Sequence, residues 1–360
     1  MLSPLRLALI STGRQGAFSL WTALNSHPQL FLPDFATSDR LLLEGGDYDS
    51  SGPYGYQHHA PRQIPGLELA CLVHGFSALD RMPGPVPERL AKALTGDAVM
   101  VLVTRDPAEN LVSMYHTQLE LFFGRKHFGL IPAGHRLYDR DEPMPFDEYI
   151  EFAAYGVDYG RQLDDFGPLF SEQLLFDFED ILADRLAQSL TQMVESIGLD
   201  PLERWSESPL PNNAGGKLIH QRLFGMRSKL ELDGFGFDLG FFGSESDPLM
   251  RGSLEWKLET DPLPGGVAAF TSGQTWFRVP LAYRQYLLEG AGRELIAERY
   301  AEFQAYLDGI ARNSAPYRIK QWGESALEAF ETHIAPNARR FRDRAPEASR
   351  SWSQDVASVA

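Results

Sequence analysis

Short blocks of apolar residues alternate with amphipathic segments along roughly the first 200 residues of the chain. The apolar blocks, which have the character of parallel strands covered on both faces, are residues 5–11, 68–74, 97–105 and 172–180. The amphipathic segments, which carry apolar residues at helical spacing, are residues 17–26, 86–94, 106–121, 146–166, 181–199 and 293–310. This alternation predicts an α/β fold with a mainly parallel central sheet flanked by helices.

The character of the sequence changes after residue 205. Residues 205–275 are rich in glycine, proline and aromatic residues and have weak periodicity, which predicts an irregular region that covers a substrate. The end of the chain is polar, and this predicts a loosely held tail over residues 336–360. We therefore expect a single domain over residues 1–335, followed by that tail.

Composition and charge narrow the classes of function. The chain has 360 residues, of which 43% are hydrophobic, enough for one large α/β domain or two small ones. Its formal net charge of −16 argues against nucleic acid or an anionic membrane as a partner. No segment has the roughly 18 uninterrupted apolar residues of a membrane-spanning helix, so we expect a cytoplasmic protein. The single cysteine, Cys71, lies in an apolar block and is expected to be a structural thiol.

The loop between the first strand and the first helix has the composition of an anion-binding site. Residues 11–19 read STGRQGAFS, and such a turn presents backbone N–H groups and the positive end of a helix dipole. Arg14 adds a charge, and Ser11, Thr12 and Ser19 add hydroxyl groups. The loop lacks the Gly-Lys-Ser/Thr of nucleotide-triphosphate loops, and with it the hydroxyl that binds Mg²⁺. A tight turn without a ligand is the alternative.

A second group of polar residues follows the strand that ends at Arg105. Asp106, Pro107 and Glu109 form a strong helix start. Ser113 lies seven residues after Asp106, about 20° short of two helical turns, so it returns to the face of the N-cap. An arginine at the strand end and a hydroxyl on that face can bind one phosphate monoester together.

Three segments resemble the sulfotransferases that use 3′-phosphoadenosine 5′-phosphosulfate (PAPS). ISTGRQGAFSLWTALNSHPQL, residues 10–30, resembles the 5′-phosphosulfate loop of that family, and VLVTRDPAENLVSMYH, residues 101–116, resembles its 3′-phosphate motif. LLFDFEDILAD is similar to a later Y-E-D-L segment, with Phe178 in place of the tyrosine. The loop departs from the family pattern because Gln15 and Ala17 replace small hydroxyl residues.

The resemblance implies a P-loop-like sulfotransferase fold with PAPS as the donor of a sulfuryl group. The later segment TSGQTWFRV resembles one that closes over the cofactor in that family. The cofactor-binding residues that the resemblance implies are Arg14, Gln15, Gly16, Ala17, Phe18, Ser19, Arg105, Ser113, Phe178 and Arg278.

Sulfuryl transfer requires stabilisation of the charge that develops on the leaving phosphate, and a base for the acceptor. Arg14 is the expected electrophilic stabiliser. His74 ends the second apolar block, and the carboxyl ends of parallel strands share the edge of the sheet where ligands bind. The resemblance implies a catalytic histidine about sixty residues after the basic residue of the loop, which matches the separation of Arg14 and His74.

Other residues remain open as the base: His58, His59, His116 and the carboxylate of Glu44. His58 and His59 are adjacent, but no third ligand follows at metal-binding spacing. We therefore expect no metal.

The acceptor is expected to be a small molecule that is neutral, apolar or cationic, because the chain is acidic and its irregular segments are aromatic. The identity of the acceptor, the sulfation of oxygen or nitrogen, and the oligomeric state stay open. Two other classes of function also remain: a P-loop-type nucleotide-dependent kinase, and a catalytically decayed nucleotide-binding protein on the same fold.

Overall fold

The structure is a computed structural model. It describes residues 5–24, 27, 29–31, 68–74, 86–131, 133–205, 229–232, 235–238, 240–242, 255–257, 276–280 and 291–353.

The described strands are β1 (Leu5–Ser11), β2 (Leu30–Phe31), β3 (Glu68–His74), β4 (Leu94–Thr104), β5 (Glu172–Asp177), β6 (Lys229–Leu232), β7 (Phe235–Asp238), β8 (Gly240–Phe242), β9 (Glu255–Lys257) and β10 (Trp276–Pro280). The described α-helices are α1 (Ala17–Leu24), α2 (Val86–Ala93), α3 (Pro107–Phe128), α4 (Phe146–Ala153), α5 (Tyr159–Phe166), α6 (Ala183–Ser196), α7 (Ala291–Ser314), α8 (Glu324–His333) and α9 (Ala335–Arg344).

β1 occupies the centre of a parallel sheet of five strands in the order β2-β3-β1-β4-β5. Leu9 of β1 lies beside Leu72 of β3 and Val101 of β4. The chain leaves β1 toward β2 and β3 and then crosses to β4, so the carboxyl ends of β1 and β4 form the point where the strand order reverses. Ligands of open α/β sheets bind in the crevice at such a point. The prediction of an α/β fold with a mainly parallel central sheet is confirmed.

Both faces of the sheet are covered, as the near-continuous apolar strands predict. Leu9 and Val101 belong to a cluster that packs against α1 and α6. Ile10 and Leu102, the next residue of each strand, belong to a second cluster that packs against α5 and α9. Successive residues of a strand point to opposite faces, so a strand buried on both sides needs an apolar residue at every position.

α3 begins where the sequence predicts. The carboxylate of Asp106 accepts hydrogen bonds from the N–H groups of Ala108 at 2.9 Å and Glu109 at 3.3 Å, and Pro107 occupies the first helical position. Gly129 ends the helix with a φ of 64°, a conformation that favours glycine. The buried side of α3 packs against α4 and α8 in a third cluster.

The helix predicted over residues 146–166 is interrupted. A 3₁₀ turn over residues 154–157 separates α4 from α5, and the carboxylate of Asp158 accepts the N–H of Arg161 at 3.0 Å, which starts α5 anew. The break directs α5 onto the sheet, whereas α4 packs on α3 and α8.

The prediction of a loosely held polar tail over residues 336–360 is wrong for the described part of that segment. Phe341 of α9 is 1% exposed and Trp352 is 5% exposed, and their rings stack at 5.4 Å. The N–H and hydroxyl of Ser351 bond to the buried carboxylate of Asp177 at the end of β5. The segment is held by two buried aromatic rings and by long-range hydrogen bonds, which its polar composition does not reveal.

The region over residues 205–275, predicted as irregular, contains short antiparallel strands. β6 pairs with β7, and β10 lies between β8 and β9. Arg278 of β10 lies opposite Gly240 and Lys257. These strands are only three to five residues long, too short for their alternation to stand out among the glycines.

Candidate anion-binding site

The loop after β1 folds through unusual backbone conformations. Gly13, Arg14 and Gly16 have φ values of 107°, 60° and 72°, and turns of this kind point successive N–H groups into a concavity that suits an anion. The N–H of Leu20 bonds to the carbonyl of Gly16 at 3.1 Å, so the N–H groups of the first turn of α1, including that of Ala17, lack helical partners. The loop has the backbone geometry that its glycines predict.

The absence of a side chain at Gly16 allows the loop to lie close to the turn that follows β5. A Cβ atom at this position would lie 2.2 Å from Cδ1 of Ile181 and 3.3 Å from Cε2 of Phe178. The loop therefore packs directly on the turn that follows β5, and Phe178 is a neighbour of the loop as well as of the strand end.

Arg14 has a strained backbone conformation and contacts both Ser113 and Arg105. It is a non-glycine residue at positive φ, which is uncommon and stores strain. Its Nε donates to the hydroxyl of Ser113 on α3 at 2.9 Å, and its carbonyl accepts from Nη1 of Arg105 at 3.2 Å. Strain of this kind is concentrated at functional sites.

The guanidinium group of Arg105 lies at the same place. Its Cζ is 4.8 Å from the centre of the Phe178 ring, and its Nη2 is 3.3 Å from the carboxylate of Glu109. Its buried Nε has no hydrogen-bond partner among the described residues. Phe178 thus contacts the site through its ring face, a contact that needs no phenol hydroxyl.

The site concentrates positive charge. Burial lowers the pKa of Arg14, the nearby charge of Arg105 lowers it further, and Glu120 acts in the opposite direction. The two guanidinium groups therefore repel each other across a partly desolvated space. A bound anion with two negative charges would relieve that repulsion.

Gln15 is placed differently from the family-based expectation. Its side chain is fully buried, and its Oε1 accepts from the Ser11 hydroxyl at 2.8 Å and from the Thr12 N–H at 3.0 Å. The side chain of Gln15 therefore stabilises the loop through hydrogen bonds on its buried side. Its Nε2 is buried and has no hydrogen-bond partner among the described residues, so the part of Gln15 in holding the cofactor stays a prediction.

The backbone of His74 lies at the edge of the site. His74 ends β3 and lies beside Ser11, the residue at which the loop begins. The side chain of His74 lies outside the described part of the structure, so its role as a base stays a prediction. The other predicted site or base residues with side chains outside that part are Phe18, Ser19, Arg278, Glu44, His58 and His59.

His116 has a structural contact. Its Nε2 accepts the N–H of Ile319 at 3.0 Å, which requires a neutral ring that carries its proton on Nδ1. Burial lowers the pKa of His116, as does the charge of Arg318, while the charge of Glu120 acts in the opposite direction. Both ring nitrogens are committed while this bond holds, so His116 is unsuited to accept a proton.

Tyr159 is the residue of this site that the sequence does not reveal. Its hydroxyl accepts from the N–H of Arg105 at 3.3 Å and donates to the carbonyl of Arg105 at 3.0 Å. The side-chain amide of Asn110 donates to the same hydroxyl at 3.2 Å. Tyr159 lies in a predicted helix far along the chain, and no local motif marks it.

No cluster of three or more metal-ligating side chains occurs among the described residues. None of the described helices combines the length and the apolar character that crossing a membrane requires.

The guanidinium groups of Arg14 and Arg105, the Ser113 hydroxyl and the N-terminus of α1 lie together at the carboxyl edge of the parallel sheet. This is an arrangement whose chemistry suits a phosphate-like ligand. No family model and no curated protein matches the chain. Among solved structures, the chain is similar to a sulfotransferase from Alicyclobacillus acidocaldarius, with 15% identity and a TM-score of 0.37 over 60% of this chain and 89% of that one. This likeness is distant.

Proposed function

We propose that the chain is a sulfotransferase that transfers a sulfuryl group from PAPS to a hydroxyl or amine of a small molecule. The observation that carries the proposal is the convergence of Arg14 and Arg105 beside Ser113. Arg14 Nε bonds to the Ser113 hydroxyl at 2.9 Å, and Arg105 bonds to the Arg14 carbonyl at 3.2 Å.

The residues present fit a nucleotide with two phosphorylated positions. The 3′ and 5′ positions belong to one ribose, so a single compact cluster of cations can reach both. Arg105 and Ser113 would hold the 3′-phosphate, and the buried Nε of Arg105, which has no partner among the described residues, is a donor that an anion can satisfy. The backbone N–H groups of residues 13–19 and the Arg14 guanidinium would hold the 5′ end.

PAPS supplies an activated sulfuryl group on a phosphate leaving group. The protein's part is to position that group and to stabilise the charge that develops as it is transferred. Arg14 provides a fixed positive charge whose pKa is lowered by burial and by Arg105, in surroundings where electrostatic interactions are stronger than in water. The N-terminus of α1 adds its dipole to the same end.

In this proposal, His74 is the general base that removes the proton from the small-molecule acceptor. Its backbone lies beside Ser11 at the carboxyl edge of the sheet, and histidine titrates in the range that a general base requires. The net charge of −16 favours a neutral or cationic small molecule as the acceptor over a nucleic acid.

The proposal is tested by incubating the protein with radiolabelled PAPS and a metabolite extract, followed by mass identification of the products. The wild-type protein should label at least one small molecule, and the Arg14→Gly variant should not. Magnesium-dependent phosphate transfer from ATP would identify a kinase instead. Binding of the nucleotide without any sulfated product from a broad range of acceptors would identify a decayed enzyme.

A further inference from the structure

The backbone N–H and carbonyl of Arg105 are both hydrogen-bonded to the side chain of one residue, Tyr159. β4 ends at Thr104, so Arg105 lies one residue beyond the pairing of the sheet. The hydroxyl of Tyr159 contacts both polar backbone groups of Arg105, accepting from the N–H and donating to the carbonyl. The Tyr159 hydroxyl thus forms the two backbone hydrogen bonds that a neighbouring strand would form with a residue inside the sheet.

Tyr159 is itself firmly held. Its side chain is 1% exposed, and its ring packs against Phe341 at 5.7 Å and Trp352 at 5.5 Å. Asn110, in the second turn of α3, donates to the same hydroxyl. The hydroxyl therefore joins α5, the strand end at Arg105 and the beginning of α3 at one point.

The hydroxyl also stays in its neutral form. Burial raises the pKa of Tyr159 to about 12, against the opposing effects of its contacts with Gln15, Arg105 and Asn110. A neutral hydroxyl can donate and accept at the same time, and both functions are used at Arg105.

We infer that Tyr159 is a positioning residue that fixes the backbone of Arg105, and through it the guanidinium group, for the 3′-phosphate of the nucleotide. This inference rests on the proposed function. Rotation of the Arg105 backbone would carry its guanidinium away from Phe178 and from the Arg14 carbonyl, which lie 4.8 Å and 3.2 Å from it. Small displacements of a charged contact weaken it strongly, so the hydroxyl acts on binding without touching the ligand.

The test compares Tyr159→Phe, which keeps the ring and removes the hydroxyl, with Tyr155→Phe. Tyr155 is a suitable control because its hydroxyl bonds to Asp165 at 2.9 Å, away from Arg105. Adenosine 3′,5′-bisphosphate and AMP differ by the 3′-phosphate alone, and the affinity of each variant is measured for both. Tyr159→Phe should lower the preference for the bisphosphate by about three- to tenfold, with AMP affinity unchanged. An equal loss for both nucleotides, or no loss, overturns the inference.

A second readout keeps the inference separate from the proposed function. Hydrogen exchange at the Arg105 amide in the nucleotide-free protein should be faster in Tyr159→Phe than in wild type or Tyr155→Phe, because its acceptor is gone. If wild type binds both nucleotides equally, the proposed 3′-phosphate site fails, and the exchange rate alone decides whether Tyr159 fixes Arg105. An unchanged rate overturns the positioning role.

Discussion

Nη1 of Arg105 donates a hydrogen bond to the backbone carbonyl of Arg14 at 3.2 Å. This contact spans the carboxyl ends of β1 and β4, and it joins the two segments that resemble the phosphate-binding motifs of sulfotransferases. Because Arg14 in turn bonds to Ser113 at 2.9 Å, three residues from two distant parts of the chain meet in one small space. The proposed nucleotide site depends on this convergence.

Replacement of Arg14 by glycine should separate its role in binding from its role in stability. Glycine removes the guanidinium but adopts a φ of 60° without strain. We expect the free energy of unfolding to change by less than about 1 kcal/mol, because the lost hydrogen bond and the relieved strain offset each other. Affinity for adenosine 3′,5′-bisphosphate should fall at least about tenfold, measured by calorimetry beside denaturant unfolding.

Arg14→Ala is the matched control. Alanine also lacks the guanidinium but keeps the strain of a left-handed conformation, which costs about 1–2 kcal/mol. Both variants should lose nucleotide affinity equally, and only the alanine variant should lose stability. If Arg14→Gly bound the nucleotide with wild-type affinity, Arg14 would not be part of the binding site.

Glu109→Gln should strengthen nucleotide binding. The carboxylate of Glu109 lies 3.3 Å from Nη2 of Arg105, so it competes with a bound anion for the charge of Arg105. Because the side chain of Glu109 is 50% exposed, loss of this ion pair should change the stability of the protein little. We expect about two- to fivefold tighter binding of the bisphosphate at low salt, fading at high salt. Glu148→Gln, which removes the same charge from the Arg140 ion pair on α4, should leave affinity unchanged. Weaker binding in Glu109→Gln would contradict the placement of the anion at Arg105.

His74→Ala should reduce turnover by about 10²–10⁴-fold while nucleotide affinity is retained, because a general base acts on the acceptor and not on the nucleotide. His116→Gln is the histidine control, since glutamine can still accept the N–H of Ile319 that His116 accepts at 3.0 Å, and its turnover should stay near wild type. An equal loss of turnover and nucleotide affinity in His74→Ala would mean that His74 is structural.

Alkaline pH should destabilise the protein through its buried tyrosines. Burial raises the pKa values of Tyr115 and Tyr159 to about 12, whereas in the unfolded chain they are near 10. Below about pH 10 both states keep the proton and the stability is complete. Between about pH 10 and 12 the unfolded state alone releases protons, so the free energy of unfolding falls with pH, by up to about 2–3 kcal/mol for each group.

Urea unfolding over this pH range measures the effect, and Tyr115→Phe provides the comparison. Phenylalanine keeps the ring of Tyr115 and removes both the titrating group and its bond to the Met144 carbonyl at 2.9 Å. The variant should be less stable at neutral pH and should lose less stability above about pH 10. Identical pH dependence in both proteins would show that Tyr115 titrates normally in the fold.

The local features of the site could be predicted from the sequence. Asp106 and Pro107 specify the start of α3 because capping depends on neighbouring residues alone. The loop after β1 was predictable for the same reason, since Gly13 and Gly16 supply the positive φ values that it requires. The order of strands and helices was predictable because each apolar block has to be covered on both faces.

The contacts between distant segments could not be predicted in the same way. Helical spacing places Ser113 on the face of the N-cap, but it does not reveal that Ser113 bonds to Arg14. The inward turn of Gln15 depends on Ser11 and Thr12 folding back around it. Tyr159 reaches Arg105 only because the sheet, α5 and the C-terminal segment pack together, and no local pattern encodes that.

The central claim is that Arg105 binds the 3′-phosphate of an adenine nucleotide, and calorimetric titration of wild type and Arg105→Ala tests it most directly. Arg105→Ala should weaken adenosine 3′,5′-bisphosphate binding by about 1.5–3 kcal/mol, the range of a charged hydrogen-bonding contact, and leave AMP binding unchanged. Arg125→Ala is the control, because the guanidinium of Arg125, like that of Arg105, lies over an aromatic ring, with its Cζ 4.6 Å from the centre of the Tyr138 ring. This variant should bind both nucleotides as wild type does. Equal affinity of wild type and Arg105→Ala for the bisphosphate would contradict the account.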